Sequence, residues 1–111
     1  MSMMIDSQER LFAALADTTR RQLLTTLAES SPRTATQLAE IFPITRQGIL
    51  KHLDVLAEAG LVQVRPKGRE KRYSLRPEPL HSVNEWIDAL SAKWDERLTR
   101  LKDLVESDEQ F

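Results

Sequence analysis

The chain has no cysteine in its 111 residues. Disulfides and every thiolate-based metal or redox site are therefore excluded, and the composition fits a cytoplasmic protein. Glycine is scarce as well, with three residues at 48, 60 and 68, so no Gly-rich phosphate loop exists. Histidine is limited to His52 and His81. Neither has the serine and acid around it that a catalytic triad needs, and no HExxH-type pattern or pair of inward carboxylates occurs. The chain does not read as an enzyme. No apolar run approaches the roughly 20 residues that span a bilayer, and the polar, acidic start at residues 1–9 does not read as a signal peptide. Repeats and low-complexity segments are absent too.

What is present fits one domain. A chain of this length is too short for two ordinary domains, and 41% hydrophobic residues can build a modest core. The net charge of −1 conceals a segregation. Residues 43–76 hold eight lysines and arginines (Arg46, Lys51, Arg65, Lys67, Arg69, Lys71, Arg72, Arg76) against Asp54, Glu58 and Glu70, a net of +5 that leaves −6 on the remainder. A basic middle in an acidic protein is the pattern of a localised polyanion-binding face. An ordinary charged surface, unevenly sampled, gives the same count.

The apolar spacing predicts helices along most of the chain. Residues 6–16 place Leu11, Phe12, Leu15 and Ala16 on one face. Asp17 is a good N-cap for a second helix carrying Leu23, Leu24 and Leu27, which gives out at Ser30-Ser31-Pro32. Arg20 and Arg21 fall in its first turn, where the helix dipole disfavours cations. A nearby carboxylate is the expected compensation, with a phosphate as the alternative. Thr34 and Gln37 have the spacing of a capping box, and Leu38, Ala39, Ile41 and Phe42 follow as a short third helix stopped before Pro43.

Residues 43–61, PITRQGILKHLDVLAEAGL, form the stretch around which the rest is arranged. Thr45 reads as an N-cap, Ile49, Leu53, Leu56 and Ala57 as a buried stripe, and Gly60 as the C′ stop. Only Pro43 and Ile44 separate this helix from the previous one, so the two must cross steeply, as in a helix-turn-helix. Gly48 costs about 1 kcal/mol relative to alanine inside a helix, which predicts a close backbone approach between the two helices there.

Beyond Gly60 the period changes to two. Val62 and Val64 alternate with Gln63 and Arg65, and Tyr73 and Leu75 with Arg72, Ser74 and Arg76; a turn at residues 66–70 contains Gly68. A hairpin with a basic tip results, and its Val/Tyr/Leu face must pack on the helices. Pro77 and Pro79 precede one long helix over about 79–106, with the tail at 107–111 expected to fray. Leu80, Val83, Ile87, Leu90, Trp94, Leu98, Leu101 and Val105 recur at spacings of three and four, and Trp86 lies beside them. That stripe is longer than a small core can cover. Self-association through it, aided by Leu11 of the first helix, is the favoured expectation; a helix folded back on its own core is the alternative.

The predicted fold is thus mainly α with a small β-hairpin: a winged helix-turn-helix, with the helix-turn-helix at 34–60, the wing at 61–76 and a long C-terminal dimerisation helix. The chemistry suits double-stranded DNA. A major groove admits one helix, whose first residues meet the base edges. Arg46 suits guanine, Gln47 suits adenine, and Leu50, if exposed, suits a thymine methyl. Thr45 starts the helix. Lys51, Lys67, Arg69, Lys71 and Arg72, around Gly68, are candidates for phosphate or groove contacts. His52 is expected to be packed and hydrogen-bonded, with a phosphate contact as the alternative. A dimeric protein-interaction module of the same shape is the competing class, but that role does not require a polar helix start beside a basic wing.

LFAALADTTRRQLLTTLAE, TATQLAEIFPITRQGILKHLDVLAEAGLV and KGREKRYSL resemble the ArsR-type (arsenic-repressor-like) winged-helix transcriptional regulators. LHSVNEWIDALSAKWDERLTRL resembles the last helix of a subgroup without metal-site cysteines. The resemblance covers nearly the whole chain. It implies a homodimeric repressor on a two-fold symmetric operator, dimerised through its first and last helices. Two departures stand out. The metal ligands of sensing members have no counterpart at Ala35-Thr36, and His81 has no second histidine at a ligand spacing, so neither a metal nor another cofactor is expected. Leu50 stands where members usually carry a small polar residue. A small-molecule-responsive sensor, its ligand not readable from sequence, is a further alternative.

Overall fold

The computed structural model describes the backbone of residues 3–109 and the side chains of residues 7–107. The elements are α1 (Met3–Leu15), α2 (Thr18–Glu29), β1 (Arg33–Thr34), α3 (Ala35–Ile41), α4 (Arg46–Glu58), β2 (Val62–Lys67), β3 (Glu70–Leu75) and α5 (Glu78–Glu109). They fall into two compact units, 1–79 and 80–111.

The first unit is a winged helix-turn-helix, and its helix starts are where the capping chemistry predicts them. The Asp17 carboxylate accepts from the Arg20 N–H at 3.0 Å, and the Thr34 hydroxyl from the Gln37 N–H at 3.1 Å. The Gln37 side chain accepts in turn from the Thr34 N–H at 2.9 Å, closing the capping box. Among the described residues the largest fully buried side chains are Leu23, Leu27, Leu38, Ile49, Leu53, Leu56 and Leu61. They come from α2, α3, α4 and the residue that leaves α4. Since a fully buried leucine or isoleucine is worth roughly 1.5–3 kcal/mol, this cluster is what fixes α4 against its neighbours.

The first helix departs from its predicted face. Leu11 and Ala14 are buried, whereas Phe12 and Ala16 are exposed and Leu15 is half-buried. Small Ala14, fully enclosed, takes the inward place expected of the larger residues. Leu11 was expected at a dimer interface; at 5% exposure within the single chain it keeps little surface for a partner. In α3 the expected apolar face is likewise incomplete, because Ile41 is half in solvent and Phe42 is the C-cap rather than a helical residue.

Arg20 has the expected carboxylate near it, since its charge adds to its backbone N–H in lowering the Asp17 carboxyl, but the hydrogen bonds of both guanidiniums go mainly to backbone carbonyls. Arg20 donates to the Ala14 and Ala13 carbonyls at 2.9 Å each, and Arg21 to the Leu15 carbonyl at 2.6 Å. These carbonyls lie in the last turn of α1, at the negative pole of that helix dipole. The two cations that sit badly at the start of α2 therefore sit well at the end of α1.

The hairpin is part of a three-stranded antiparallel sheet of order β1-β3-β2. Arg33 and Thr34 pair with Tyr73 and Arg72 and cover one edge of β3. On the other edge Val62 faces Leu75 and Val64 faces Tyr73, the predicted alternation. Pro66 belongs to β2 rather than to the turn, which an edge strand tolerates. The turn is shorter than expected: Lys67 pairs with Glu70, leaving Gly68 and Arg69 as a two-residue loop. Gly68 has φ +64° and no other residue of the loop is positive, the pattern of a type II′ turn.

The second unit is the body of α5, which carries 32 residues in all and extends about 48 Å at 1.5 Å per residue. Ile87, Leu90, Trp94, Leu98, Leu101 and Val105 are exposed in the single chain, as is Leu104, which the predicted stripe omitted. Leu80 and Val83 are half-buried. Of the tail expected to fray, residues 107–109 continue the helix and 110–111 lie outside the described residues.

Candidate nucleic-acid interface

The start of α4 is set by two local devices. The Thr45 hydroxyl accepts from the Gly48 N–H at 3.1 Å, so Thr45 is committed to the cap. Gly48 was expected to mark a backbone approach between helices. Instead, a Cβ built there would lie 2.6 Å from Ile44 Cγ2 and 3.4 Å from Thr45 Oγ1. The space is taken by the side chain that leads into the helix, folded over its first turn. At the other end, the Gly60 N–H donates to the Ala57 carbonyl and the Leu61 N–H to the Leu56 carbonyl, at 3.0 and 2.9 Å. With Gly60 at φ +78°, this is a Schellman stop closed by the buried pair Leu56 and Leu61.

Held at both ends and along Ile49, Leu53 and Leu56, α4 presents Arg46, Gln47 and Lys51 to solvent. Leu50 is half-buried and turns toward the wing. Between α4, the start of α3 and β3 lies a cleft of about 380 Å3, lined by Thr36, Arg46, Leu50, Arg69, Lys71 and Tyr73 among others. Arg46 donates through Nε to the Thr36 hydroxyl at 3.3 Å, a contact between the two helices of the helix-turn-helix. Tyr73 is buried; that burial raises its phenol above the usual 10.0, the Asp54 charge adds to the effect and the Arg46 charge opposes it.

The wing carries its cations outward. Burial along β2 falls from Val62 to the exposed Val64 and beyond, so the hairpin leaves the body as it proceeds and ends on exposed Lys67, Gly68 and Arg69. Lys71 is exposed beside the cleft, while Arg72 is half-buried with its guanidinium 3.9 Å from the Glu70 carboxylate. Arg65, directly opposite Arg72 across the strands, lies where like charges repel. Its guanidinium donates to the Gln63 side-chain oxygen at 2.8 and 2.9 Å once that amide is oriented to accept. His52 is largely packed, with Nδ1 3.9 Å from the Asp17 carboxylate that caps α2. The predicted cluster of Arg46, Gln47, Lys51, Lys67, Arg69 and Lys71 is therefore assembled on one unit. Sequence reasoning missed Thr36 and Tyr73: Thr36 gave no signal, and Tyr73 was read only as a packing residue.

Among the described residues no group of three histidine, cysteine or carboxylate side chains is placed to hold a metal ion, and no helix is long and apolar enough to cross a membrane.

The profile of a helix-turn-helix domain matches residues 15–65. The HTH-type transcriptional regulator Rv2034 of Mycobacterium tuberculosis is 35% identical over 102 residues, covering 92% of each chain. The transcriptional repressor SdpR of Bacillus subtilis is 34% identical over 77 residues, 69% of this chain and 84% of its own. Among solved structures, an ArsR-like transcriptional regulator from Rhodococcus sp. RHA1 superposes with a TM-score of 0.81 at 36% identity, covering 96% of this chain and 98% of that one. With a helix-turn-helix, a wing and a long last helix shared over almost its full length, the chain belongs to the ArsR family of DNA-binding transcriptional regulators.

Proposed function

We propose that the protein is a homodimeric repressor that reads a two-fold symmetric operator, with the start of α4 in the major groove and the wing on the adjacent backbone or minor groove. The observation that carries this reading is the two-sidedness of α4. One face is locked by Ile49, Leu53 and Leu56, all fully buried, while Arg46, Gln47 and Lys51 are exposed on the other. A rigid helix with exposed bidentate donors at its start is what base-edge readout needs. A protein-docking face has no requirement for them, nor for Lys67 and Arg69 at a hairpin tip.

Arg46 pairs with guanine and Gln47 with adenine in this reading, and Lys51, Lys67, Arg69 and Lys71 neutralise phosphates. Arg72 contributes less, since Glu70 already lies beside it. Leu50 faces the cleft and touches a thymine methyl only at its rim. The dimer forms through Ile87, Leu90, Trp94, Leu98 and Leu101, whose exposure in the single chain is an unmet burial of roughly 1.5–3 kcal/mol each. Repression follows from occupancy of the operator, and SdpR, described as a repressor, supports that sign.

Binding-site selection from a random DNA pool tests the proposal. The expected result is a palindromic motif with half-sites about one helical turn apart. An unsymmetrical motif, or no enrichment at all, contradicts it.

A further inference from the structure

We propose that Thr36 is a positioning residue for base readout, holding the Arg46 guanidinium so that its two terminal NH2 groups face a guanine end-on. The inference rests on the base-reading role given to Arg46 above and assigns that role a device outside the reading helix.

An arginine reads guanine well only when its fork is presented in one orientation, and its long side chain otherwise loses much rotamer freedom on binding. Arg46 is exposed at the first position of α4, and among the described residues its side-chain hydrogen bond goes outside its own helix. The restraint comes from α3: Arg46 Nε donates to Thr36 Oγ1 at 3.3 Å across ten positions of sequence. With Nε occupied, the side-on mode through Nε and one Nη is closed. Only the outer pair, Nη1 and Nη2, remains for the O6 and N7 acceptors of guanine.

The anchor is itself held. Thr36 is the second residue of α3, a helix whose start is closed by the Thr34–Gln37 capping box. Thr34 is in turn paired with Arg72 in the sheet. The orientation of Arg46 is therefore referred to the sheet and to α3, not to α4 alone. Among the described residues no carboxylate forms an ion pair with Arg46; the acids within range of cations pair with His52, Arg72, Arg76 and Lys102. A hydroxyl, unlike a carboxylate, orients the guanidinium without neutralising the charge that attracts it to DNA.

The test uses the full-length protein and its selected DNA site, with each guanine replaced in turn by 7-deazaguanine, which lacks the N7 acceptor. Fluorescence anisotropy is read for the wild type, Arg46→Ala, Thr36→Val and Thr36→Ser, together with affinity for random-sequence DNA and the melting temperature. Wild type and Thr36→Ser are expected to discriminate against one particular 7-deazaguanine. Arg46→Ala and Thr36→Val are expected to lose that discrimination, by about fivefold or more, the low end of a bidentate arginine–guanine pair. Thr36→Val should keep its melting temperature and its affinity for random DNA, which a merely structural tie between helices would not allow. If Thr36→Val discriminates like wild type while Arg46→Ala does not, the positioning role is overturned and the reading by Arg46 stands. If Thr36→Val instead weakens binding to all DNA equally, Thr36 is structural and the proposal is overturned. Discrimination retained by Arg46→Ala overturns both.

Discussion

Replacing Gly48 by alanine sets two effects of known sign against each other. Alanine favours helix by up to about 1 kcal/mol relative to glycine, so the substitution would stabilise α4 if space allowed. It does not. The new Cβ would lie 2.6 Å from Ile44 Cγ2, about 1 Å inside ordinary van der Waals separation. Ile44 is half-buried and its Cγ2 is fixed directly on a branched Cβ with few rotamers to retreat into. Overpacking of this kind costs about 1–3 kcal/mol, so Gly48→Ala should lose about 1 kcal/mol net. In an Ile44→Ala background the obstructing methyl is gone, and the same change should gain up to about 1 kcal/mol. The coupling, about 2 kcal/mol, is read from urea unfolding of the four proteins at one fixed protein concentration, because an associating chain unfolds in a concentration-dependent way. Equal stabilisation by Gly48→Ala in both backgrounds would refute this account of how α4 starts.

Three further outcomes follow from the geometry. The Asp17 carboxyl is held below its usual 3.8 chiefly by the Arg20 backbone N–H, so folded-state stability from this cap is complete above that value and is lost as pH falls through the lowered one; Asp17→Asn should flatten the acid limb of an unfolding-versus-pH curve, and an unchanged limb would count against it. Alanine at both Lys67 and Arg69 should weaken binding to all DNA sequences and lower the slope of log affinity against log salt by about one for each phosphate left without its cation; an unchanged slope would mean that neither side chain meets a phosphate. Leu90→Glu or Trp94→Glu should give monomers by light scattering, since each places a charge in the centre of the exposed α5 stripe; a dimer unaffected by either would place the interface elsewhere.

What was legible in the sequence was local. The caps at Asp17, Thr34 and Thr45 and the stop at Gly60 are short-range hydrogen-bond patterns, and each is found where its residue type demands. The stripe of α4 was readable at Ile49, Leu53 and Leu56, with Ala57 only half-buried, and the pairing of the wing was readable too, although Val64 of its expected packed face is exposed. Several failures come from packing between separate elements, while at Gly48 the reverse holds, since the space is filled by the neighbouring Ile44 and not by another helix. Two residues, Arg33 and Thr34, carry no period, so β1 was invisible until Tyr73 and Arg72 supplied its partners. The inward face of α1 depended on which residue its neighbours would admit, and that was Ala14. Arg20 and Arg21 found the carbonyls of a preceding helix, and Arg21 the Thr18 hydroxyl as well. Within the candidate interface the residue types were legible, while the Thr36–Arg46 bond and the cleft over Tyr73 emerged only once α3, α4 and β3 were in place.

The geometry also explains why a chain with net charge −1 can serve as a DNA-binding regulator. Attraction to a polyanion is set by the charges within about 8–10 Å of it at physiological salt, not by the molecular total. Arg46, Lys51, Lys67, Arg69 and Lys71 stand on exposed positions of one unit, whereas Asp17 and Glu70 lie beside His52 and Arg72.

The most direct measurement of the central claim is the affinity of a protein with alanine at both Arg46 and Gln47, compared with wild type, for the selected operator and for random DNA of equal length at one salt concentration. The account predicts that preference for the operator falls by about tenfold or more, each missing bidentate pair carrying roughly 1–3 kcal/mol, while binding to random DNA falls only by the loss of one charge. An operator preference equal to that of the wild type would contradict base readout by the start of α4.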